Sequence, residues 1–284
     1  MEPILKVENL EYVYSVGTPF EHKALDQVSF SVNRGEFIGI IGHTGSGKST
    51  LMQHLNGLLK PTSGKIILDG KDIWTDKSTT RQARFRVGLV FQYPEYQLFE
   101  ETVYKDIAFG PKNMGLPADE IDRRVREAAG FVGLTEEQLQ VSPFDLSGGQ
   151  KRRVAIAGVI AMEPEVLILD EPTAGLDPVG REDILANIQA YRKAKNATIM
   201  MVSHSMSDVA RLTERLLVMN GSKLAMDGTP EEVFGGEKFE NLSMPLIASL
   251  KGALKKAGVE IDCRLTADDF IDAVSKEFEN KNKK

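Results

Sequence analysis

The sequence of 284 residues contains a single cysteine, Cys263. One thiol can neither form a disulfide within the chain nor supply a zinc site of several cysteines, and we expect it to be inert. No apolar run approaches the ~20 residues that a membrane-spanning helix needs. The first ten residues lack the basic segment and apolar stretch of a secretory signal. We therefore expect a cytoplasmic protein without a signal peptide or transmembrane segment, which reaches any membrane through a partner.

Positive charge is also scarce. The chain carries 35 Lys and Arg against 41 Asp and Glu, which gives a formal net charge of −6. Binding to nucleic acid requires a basic face that neutralises phosphates, so we do not expect a nucleic-acid partner. The other proportions, 42% apolar and 27% charged residues, are those of an ordinary globular protein.

The order of apolar segments predicts an α/β fold with a parallel sheet. Short, nearly continuous apolar runs are typical of strands that are buried on both faces. We predict such strands at 37–41, 87–91, 166–169 and 198–202. Alternating residues predict further strands at 4–14 and 28–32.

The segments between these strands predict loops, helices and a separate tail. Residues 15–24 are predicted to be a loop. The pattern is helical from 102 to 160, with loops predicted at 111–117 and 142–149. Beyond Gly236 we predict a tail of two amphipathic helices.

The strongest local signal is G-H-T-G-S-G-K-S at 42–49. It follows a predicted strand and opens a predicted helix, which is the context that a phosphate-binding loop requires. Its glycines let successive backbone N–H groups face a phosphate chain, and the helix N-terminus adds positive charge. We expect Lys48 to reach the β- and γ-phosphates of a nucleotide and Ser49 to ligate Mg²⁺.

A second element, V-L-I-L-D-E at 166–171, places two adjacent carboxylates at the end of a buried strand. Ligands bind at such ends in open α/β sheets. We expect Asp170 to hold Mg²⁺ through water and Glu171 to orient and polarise an attacking water.

A third element, L-S-G-G-Q at 146–150, exposes glycine amides at the start of a predicted helix. With the two earlier motifs in this order, the chain resembles the ATP-binding-cassette (ABC) ATPases over about residues 4–234. The resemblance implies a P-loop NTPase cassette with a parallel-sheet core, an antiparallel β subdomain and a helical insertion at about 95–160. It implies a nucleotide-binding domain at 1–236 and a dimerising helical extension at 237–284.

The resemblance also implies roles for single residues. Gln92 corresponds to a glutamine that contacts Mg²⁺ and water and senses the transmembrane partner, and His204 to a histidine at the γ-phosphate. Asp177 corresponds to the D-loop aspartate, and it is also a candidate helix N-cap. Tyr14 stands where the family stacks an aromatic ring on adenine, with Tyr12 as the alternative.

These interpretations define a predicted site for ATP and Mg²⁺. The predicted nucleotide-binding residues are Tyr14, Gly42, His43, Thr44, Gly45, Ser46, Gly47, Lys48, Ser49, Thr50, Gln92, Ser147, Gly148, Gly149 and Asp177. The predicted catalytic residues are Glu171 and His204, and the predicted Mg²⁺ ligands are Ser49, Gln92 and Asp170.

Longer stretches resemble one branch of the family. F-Q-Y-P-E-Y-Q-L-F at 91–99, the continuation of the signature to Val159, and T-P-F-E at 18–21 are similar to energy-coupling factor (ECF) transporter ATPases. Intact D-E-P-T-A-G-L-D-P at 170–178 is similar to the second of their two paralogues. The resemblance implies ATP-driven import of vitamins or other micronutrients, from the cytoplasmic face of the membrane.

The implied partners are a second ECF ATPase, a transmembrane coupling subunit and a substrate-binding membrane subunit. The ATPase pair could be a homodimer or a heterodimer. Two alternatives stay open: the ATPase of a dedicated cobalt or nickel importer, and a soluble ABC ATPase that transports nothing. Residues 93–99 carry three aromatic rings that either line a groove for the coupling subunit or pack the insertion.

Overall fold

The computed structural model describes residues 3–235 and 244–282, with side chains of the second stretch described as far as residue 277. The strands are β1 (Leu5–Tyr14), β2 (His22–Val32), β3 (Phe37–Gly42), β4 (Ser63–Leu68), β5 (Lys71–Asp72), β6 (Val87–Val90), β7 (Val166–Asp170), β8 (Thr198–Val202), β9 (Arg215–Asn220) and β10 (Lys223–Gly228). The α-helices are α1 (Lys48–Leu55), α2 (Lys77–Arg86), α3 (Val103–Asn113), α4 (Ala118–Phe131), α5 (Glu136–Gln140), α6 (Gly148–Ile160), α7 (Pro178–Lys195), α8 (Met206–Leu212), α9 (Pro230–Gly235), α10 (Leu246–Lys256) and α11 (Ala267–Asn282).

The chain divides into two units. The first contains Met1–Glu36 and Ser49–Val202, and the second contains Phe37–Lys48 and Ser203–Lys284. The predicted domain boundary at 236/237 lies outside the described residues and stays a prediction.

An antiparallel sheet in the first unit has the strand order β2–β1–β4–β5. The loop predicted at 15–24 is shorter than expected, because β2 already pairs with β1 at His22 and Lys23. Two hydrogen bonds close the turn early: Thr18 N donates to Ser15 O at 3.1 Å, and Gly17 N donates to the Glu21 carboxylate at 2.8 Å. The predicted antiparallel subdomain is confirmed.

The parallel strands of the first unit follow the order β6–β7–β8, and all their residues are buried. The register pairs Val87 with Val166 and Val166 with Thr198. Parallel strands end at a common edge, where ligands bind in open α/β sheets. The segments after β6 and β7, which contain Gln92 and Glu171, therefore emerge beside each other.

The helical insertion is built from α3, α4 and α6, which pack on one another. Its first predicted loop, 111–117, begins later because α3 continues through the buried Pro111 to Asn113. A proline so close to the end of a helix removes only one of its last hydrogen bonds. The sequence interpretation missed α2, because its residues are mostly polar and its signal is the N-cap Asp76, which accepts from Thr79 N at 2.8 Å.

In the second unit, β3 is parallel to β9, and β9 is antiparallel to β10. Ile41 belongs to a buried cluster that includes Leu265 of the tail, and Ile247 of α10 packs against it. Leu246 on the same helix is 69% exposed. Thr266 precedes the last helix, and Asp269 N donates to its Oγ1 at 3.3 Å. The tail therefore packs partly on its own unit and leaves apolar side chains exposed.

Candidate active site

The phosphate-loop segment connects β3 to α1, as the sequence predicts. Its lysine, Lys48, is 7% exposed, and its ammonium donates to the carbonyl oxygens of Gly42 at 2.8 Å and His43 at 3.0 Å. Ser46 N donates to His43 O at 3.1 Å and tightens the turn. The loop thus closes around a positive charge, as a site for a polyphosphate requires.

Glycine is required in this loop for two different reasons. Gly42 lies so close to β9 that a Cβ would come 2.2 Å from Met219 O. Gly45 has φ +82° with open space around it, so the backbone conformation alone favours glycine there. A bulkier residue at the first position would displace the loop, and one at the second would strain it.

Two aromatic rings lie beside α1 in the first unit. Tyr14 is 37% exposed, and its hydroxyl lies 3.3 Å from Thr50 Oγ1, one residue beyond Ser49. Tyr12 is half-buried and packs edge-on against Tyr14 and against His54, with ring centroids 4.7 and 4.5 Å apart. This geometry favours Tyr14 as the ring with a face available to a base, and the assignment stays a prediction.

His54, to which the sequence interpretation assigned no chemistry, is fully buried behind Tyr12. Its Nδ1 lies 2.7 Å from Thr50 O. Burial lowers the pKa of His54, because desolvation disfavours the imidazolium. The residue is a neutral packing partner of the aromatic pair.

Gln92, which follows β6, and Glu171, which follows β7, are hydrogen-bonded to each other. Gln92 Nε2 donates to Glu171 Oε2 at 2.8 Å. Asp170, the last residue of β7, is 8% exposed and pairs in register with Val202. The buried strands therefore fix the carboxylate of Asp170 near the sheet edge and that of Glu171 against the glutamine amide.

Glu171 has a left-handed backbone, with φ 50°. This conformation costs about 1–3 kcal/mol for a residue with a side chain. Backbone hydrogen bonds hold it in place: Glu171 N donates to Val202 O at 3.0 Å, and Ala174 N donates to Glu171 O at 3.1 Å. Strain of this kind concentrates at functional positions.

The signature segment begins α6 with a capping box. Gln150 N donates to Ser147 Oγ at 3.4 Å, and Ser147 N donates to Gln150 Oε1 at 2.9 Å. Apart from its own helix backbone, a Cβ on Gly148 or Gly149 would meet no atom of residues 3–235 or 244–277 within 4 Å. Packing within this part of the chain therefore does not require glycine at either position.

The two remaining predicted residues lie at or next to the starts of other helices. Asp177 caps α7, since Gly180 N donates to its carboxylate at 2.7 Å, and Pro178 occupies the first helical position. This confirms its predicted N-cap role. His204 is exposed in the second unit, between the buried Ser203 and Ser205, which caps α8.

Residues 25–174 match the family described as ABC transporter. The chain is 55% identical over 282 residues to the energy-coupling factor transporter ATP-binding protein EcfA2 of Clostridium tetani (strain Massachusetts / E88), covering 98% of each chain. The chain belongs to the ABC transporter ATPases, in the energy-coupling factor branch. It binds and hydrolyses ATP as the ATP-binding subunit of an energy-coupling factor transporter.

Solved structures agree with this family assignment. The cbiO1 protein of Clostridium perfringens, described as part of the ABC transporter complex cbiONQ, is 42% identical. It has a TM-score of 0.75 and covers 91% of this chain and 98% of its own. The dimeric cassette MJ0796, bound to ADP and Pi, is 28% identical with a TM-score of 0.71, and covers 80% of this ATPase and 98% of its own chain. The predicted fold and ATPase activity are confirmed.

One buried contact escaped the sequence interpretation. Arg152, the second residue after Gln150, is 2% exposed and paired with Glu95. The sequence shows only three consecutive basic residues, 151–153, and gives no sign that the middle one points inward.

Within the described residues, no helix is both long and apolar enough to cross a bilayer.

Proposed function

We propose that Glu171 orients and polarises the water that attacks the γ-phosphate of ATP, and that Gln92 sets the position of its carboxylate. The hydrogen bond of 2.8 Å between Gln92 Nε2 and Glu171 Oε2 carries this proposal. Left-handed strain at Glu171 supports it, since the backbone is fixed in a conformation that packing alone would not favour. A positioned general base contributes about 10²–10⁴-fold to the rate.

The phosphates of ATP are proposed to lie on the loop that closes around Lys48. The contributing residues are Gly42, His43, Thr44, Gly45, Ser46, Gly47, Lys48, Ser49 and Thr50. The ammonium is already held at the loop carbonyls by two hydrogen bonds, which supports this assignment. Tyr14 is proposed to stack on the adenine, because its exposed ring is tied to Thr50. His204 is proposed to donate to the γ-phosphate.

Mg²⁺ is proposed to be held by Ser49, Gln92 and Asp170 together with phosphate oxygens. The donor set fits: hydroxyl, amide and carboxylate oxygens are hard ligands, and sites for nucleotide-bound Mg²⁺ use one or two carboxylates. When bound, the ion neutralises charge on the β- and γ-oxygens. Gln92 donates an amide N–H to Glu171. Its amide oxygen is therefore the atom that would coordinate Mg²⁺.

A pair of ATPases is proposed as the working unit, as a homodimer or with a second ECF ATPase. Ser147, Gly148, Gly149 and Asp177 would face the nucleotide of the opposite subunit. Open space above both glycines supports this, because no contact among the described residues requires glycine there. MJ0796 is described as dimeric, and the tail at 237–284 is proposed to contribute to the pairing.

The segment 93–99 is proposed to receive a short helix of a transmembrane coupling subunit, which in turn holds a substrate-binding membrane subunit. Tyr96 is 85% exposed and Phe99 57%, and exposed aromatic side chains of this kind are enriched among interface anchors. The ATPase would thereby lie at the cytoplasmic face of the membrane as a peripheral subunit.

Glu171→Gln tests the catalytic assignment. The variant should bind ATP normally, lose at least 100-fold in ATP turnover and accumulate a closed pair of ATPases. Glu163→Gln is a matched control, because Glu163 is also left-handed (φ 53°) but precedes β7 instead of following it. Near-normal hydrolysis by Glu171→Gln would remove the residue from the mechanism.

A dedicated cobalt or nickel importer remains the second candidate, supported by the 42% identity to a component of the complex cbiONQ. The 55% identity to EcfA2 favours the ECF assignment over it and over a soluble ABC ATPase without transport. Identification of the membrane subunits that co-purify with the full chain separates the three. Several interchangeable substrate-binding subunits support ECF, one fixed set supports the dedicated importer, and none supports the soluble enzyme.

A further inference from the structure

Arg152 forms a two-pronged ion pair inside the first unit. Its Nε donates to Glu95 Oε2 at 3.1 Å, and its Nη2 donates to Glu95 Oε1 at 2.7 Å. The side chains are 3% and 16% exposed, so both charges are largely removed from water. Burial raises the pKa of Glu95, but hydrogen bonds from Arg152 and its own backbone, with the arginine charge, outweigh it and hold the pKa below the usual value.

The remaining guanidinium nitrogen of Arg152, Nη1, contacts the loop that follows Glu171. Nη1 donates to the carbonyl oxygens of Pro172, at 3.4 Å, and of Ala174. One guanidinium therefore connects segments that lie 57 and 22 residues away from it in sequence. Arginine can do this because its donors diverge in a rigid plane, whereas lysine carries a single ammonium.

An aromatic contact reinforces the same junction. The guanidinium carbon of Arg152 lies 5.7 Å from the ring centroid of Tyr93. A Cβ on Gly175 would lie 3.7 Å from Cε1 of that ring, so Tyr93 lies directly over the loop. Tyr93 also has a left-handed backbone, φ 53°, and follows Gln92 directly. The turn at 93–97 and the loop at 172–176 therefore both contact the buried guanidinium of Arg152.

We propose that Arg152 is a positioning residue: it transmits displacement of the turn at 93–97 to the loop at 172–176, and thereby sets the carboxylate of Glu171 for hydrolysis. This inference rests on the proposed role of Glu171. In this role, Arg152 of α6 connects the segment 93–99, which is proposed to bind the membrane partner, to Glu171. A purely structural ion pair would instead contribute to folding and leave kinetics unchanged in the folded protein.

Arg152→Lys tests the link, because it keeps the charge and removes the fork. Arg124→Lys is the matched control: Arg124 is also largely buried, donates to Glu120 at 2.6 Å and to Met162 O at 3.2 Å, and touches neither segment. The full-length ATPase, assembled with its co-purifying membrane subunits, is assayed for kcat, KM for ATP, affinity for a non-hydrolysable ATP analogue and thermal midpoint.

We expect Arg152→Lys to lower kcat about 10- to 100-fold, because a misplacement of about 1 Å can cost about 100-fold. KM and analogue affinity should stay within about twofold, and Arg124→Lys should change none of the kinetic values. Glu95→Gln should lower kcat in the same way. The double variant should be no slower than Arg152→Lys alone, because both changes break one unit.

Three results would overturn the proposal: kcat of Arg152→Lys within twofold of the parent, effects of the two changes that multiply, or analogue affinity that falls in step with kcat. If Arg152→Lys does not fold, the kcat of Glu95→Gln tests the proposal instead. Glutamine has nearly the shape of glutamate and keeps one acceptor oxygen for Arg152. Glu171→Gln in the same assay separates this inference from the proposed function. An active Glu171→Gln refutes both, whereas an inactive one with normal Arg152→Lys refutes only the link.

Discussion

Tyr96→Glu separates the stability of the ATPase from its attachment to membrane subunits. The side chain of Tyr96 is 85% exposed. It approaches Tyr93 at a centroid distance of 6.3 Å, which is a weak contact. Substitution of such a residue changes the free energy of unfolding by less than about 0.5 kcal/mol. We therefore expect the thermal midpoint to stay close to that of the parent.

The expected effect on assembly is much larger. Truncation of a buried aromatic anchor in an interface costs about 2 kcal/mol or more, and 1.4 kcal/mol is a factor of ten in affinity. A charge in the same place should therefore weaken binding of the coupling subunit at least about 30-fold. Basal ATPase activity of the isolated chain should persist, because Tyr96 contributes no atom to the proposed site.

The assay measures co-purification with the membrane subunits, substrate uptake in vesicles and basal ATPase activity on the same preparations. Phe20→Glu is the matched control, since Phe20 is an aromatic residue with 83% exposure in the turn between β1 and β2. The reasoning is refuted if Tyr96→Glu assembles as tightly as Phe20→Glu. It is also refuted if basal activity collapses together with the thermal midpoint, because the segment is then part of the core.

Three further results are expected. Lys48→Ala should weaken ATP binding by about 10- to 100-fold in calorimetry, because a charged hydrogen-bond donor is worth about 1.5–3 kcal/mol; unchanged affinity would contradict the phosphate-loop assignment. Tyr14→Ala should raise the Kd for ATP more than Tyr12→Ala, measured by titration of a fluorescent ATP analogue, and the reverse order would move the adenine to Tyr12. The pKa of Glu95 lies below its ordinary value of 4.5, so its ion pair stabilises the fold above that pH and weakens as pH falls toward the lower folded-state pKa. The difference in thermal midpoint between the parent and Glu95→Gln should shrink from pH 7 to pH 3, whereas a constant difference would show that the ion pair adds nothing.

The adjacent carboxylates Asp170 and Glu171 were predictable because they stand at the end of a fully apolar strand. The role of Gln92 was implied only by the resemblance to the ABC ATPases, and the pairing of β6 with β7 in the structure brings it beside Glu171. The junction at Arg152 could not be predicted in this way. Its partners lie in turns, and one of three adjacent basic residues points inward only because α6 packs against the turn at 93–97.

Two further features were not predictable, one because its local pattern is weak and one because it depends on a long-range contact. The helix α2 was missed because its buried side chains include two threonines, so its apolar periodicity is weak. The choice between Tyr12 and Tyr14 depends on which ring packs against the buried His54, a contact across 42 residues of sequence that no local pattern encodes.

The open space above Gly148 and Gly149 has a genetic consequence. A methyl group at either position would meet no atom of the described residues within 4 Å, so Gly148→Ala should fold, melt and bind its own nucleotide like the parent. Under the proposed pairing, in which Gly148 faces the nucleotide of the opposite subunit, the defect would fall on ATP hydrolysis at that neighbouring site. In a cell that makes both forms, the altered chains would assemble as readily as normal ones. They would inactivate the ATP sites of the subunits with which they pair. Such an allele should therefore be dominant, and a screen for stability would never detect it.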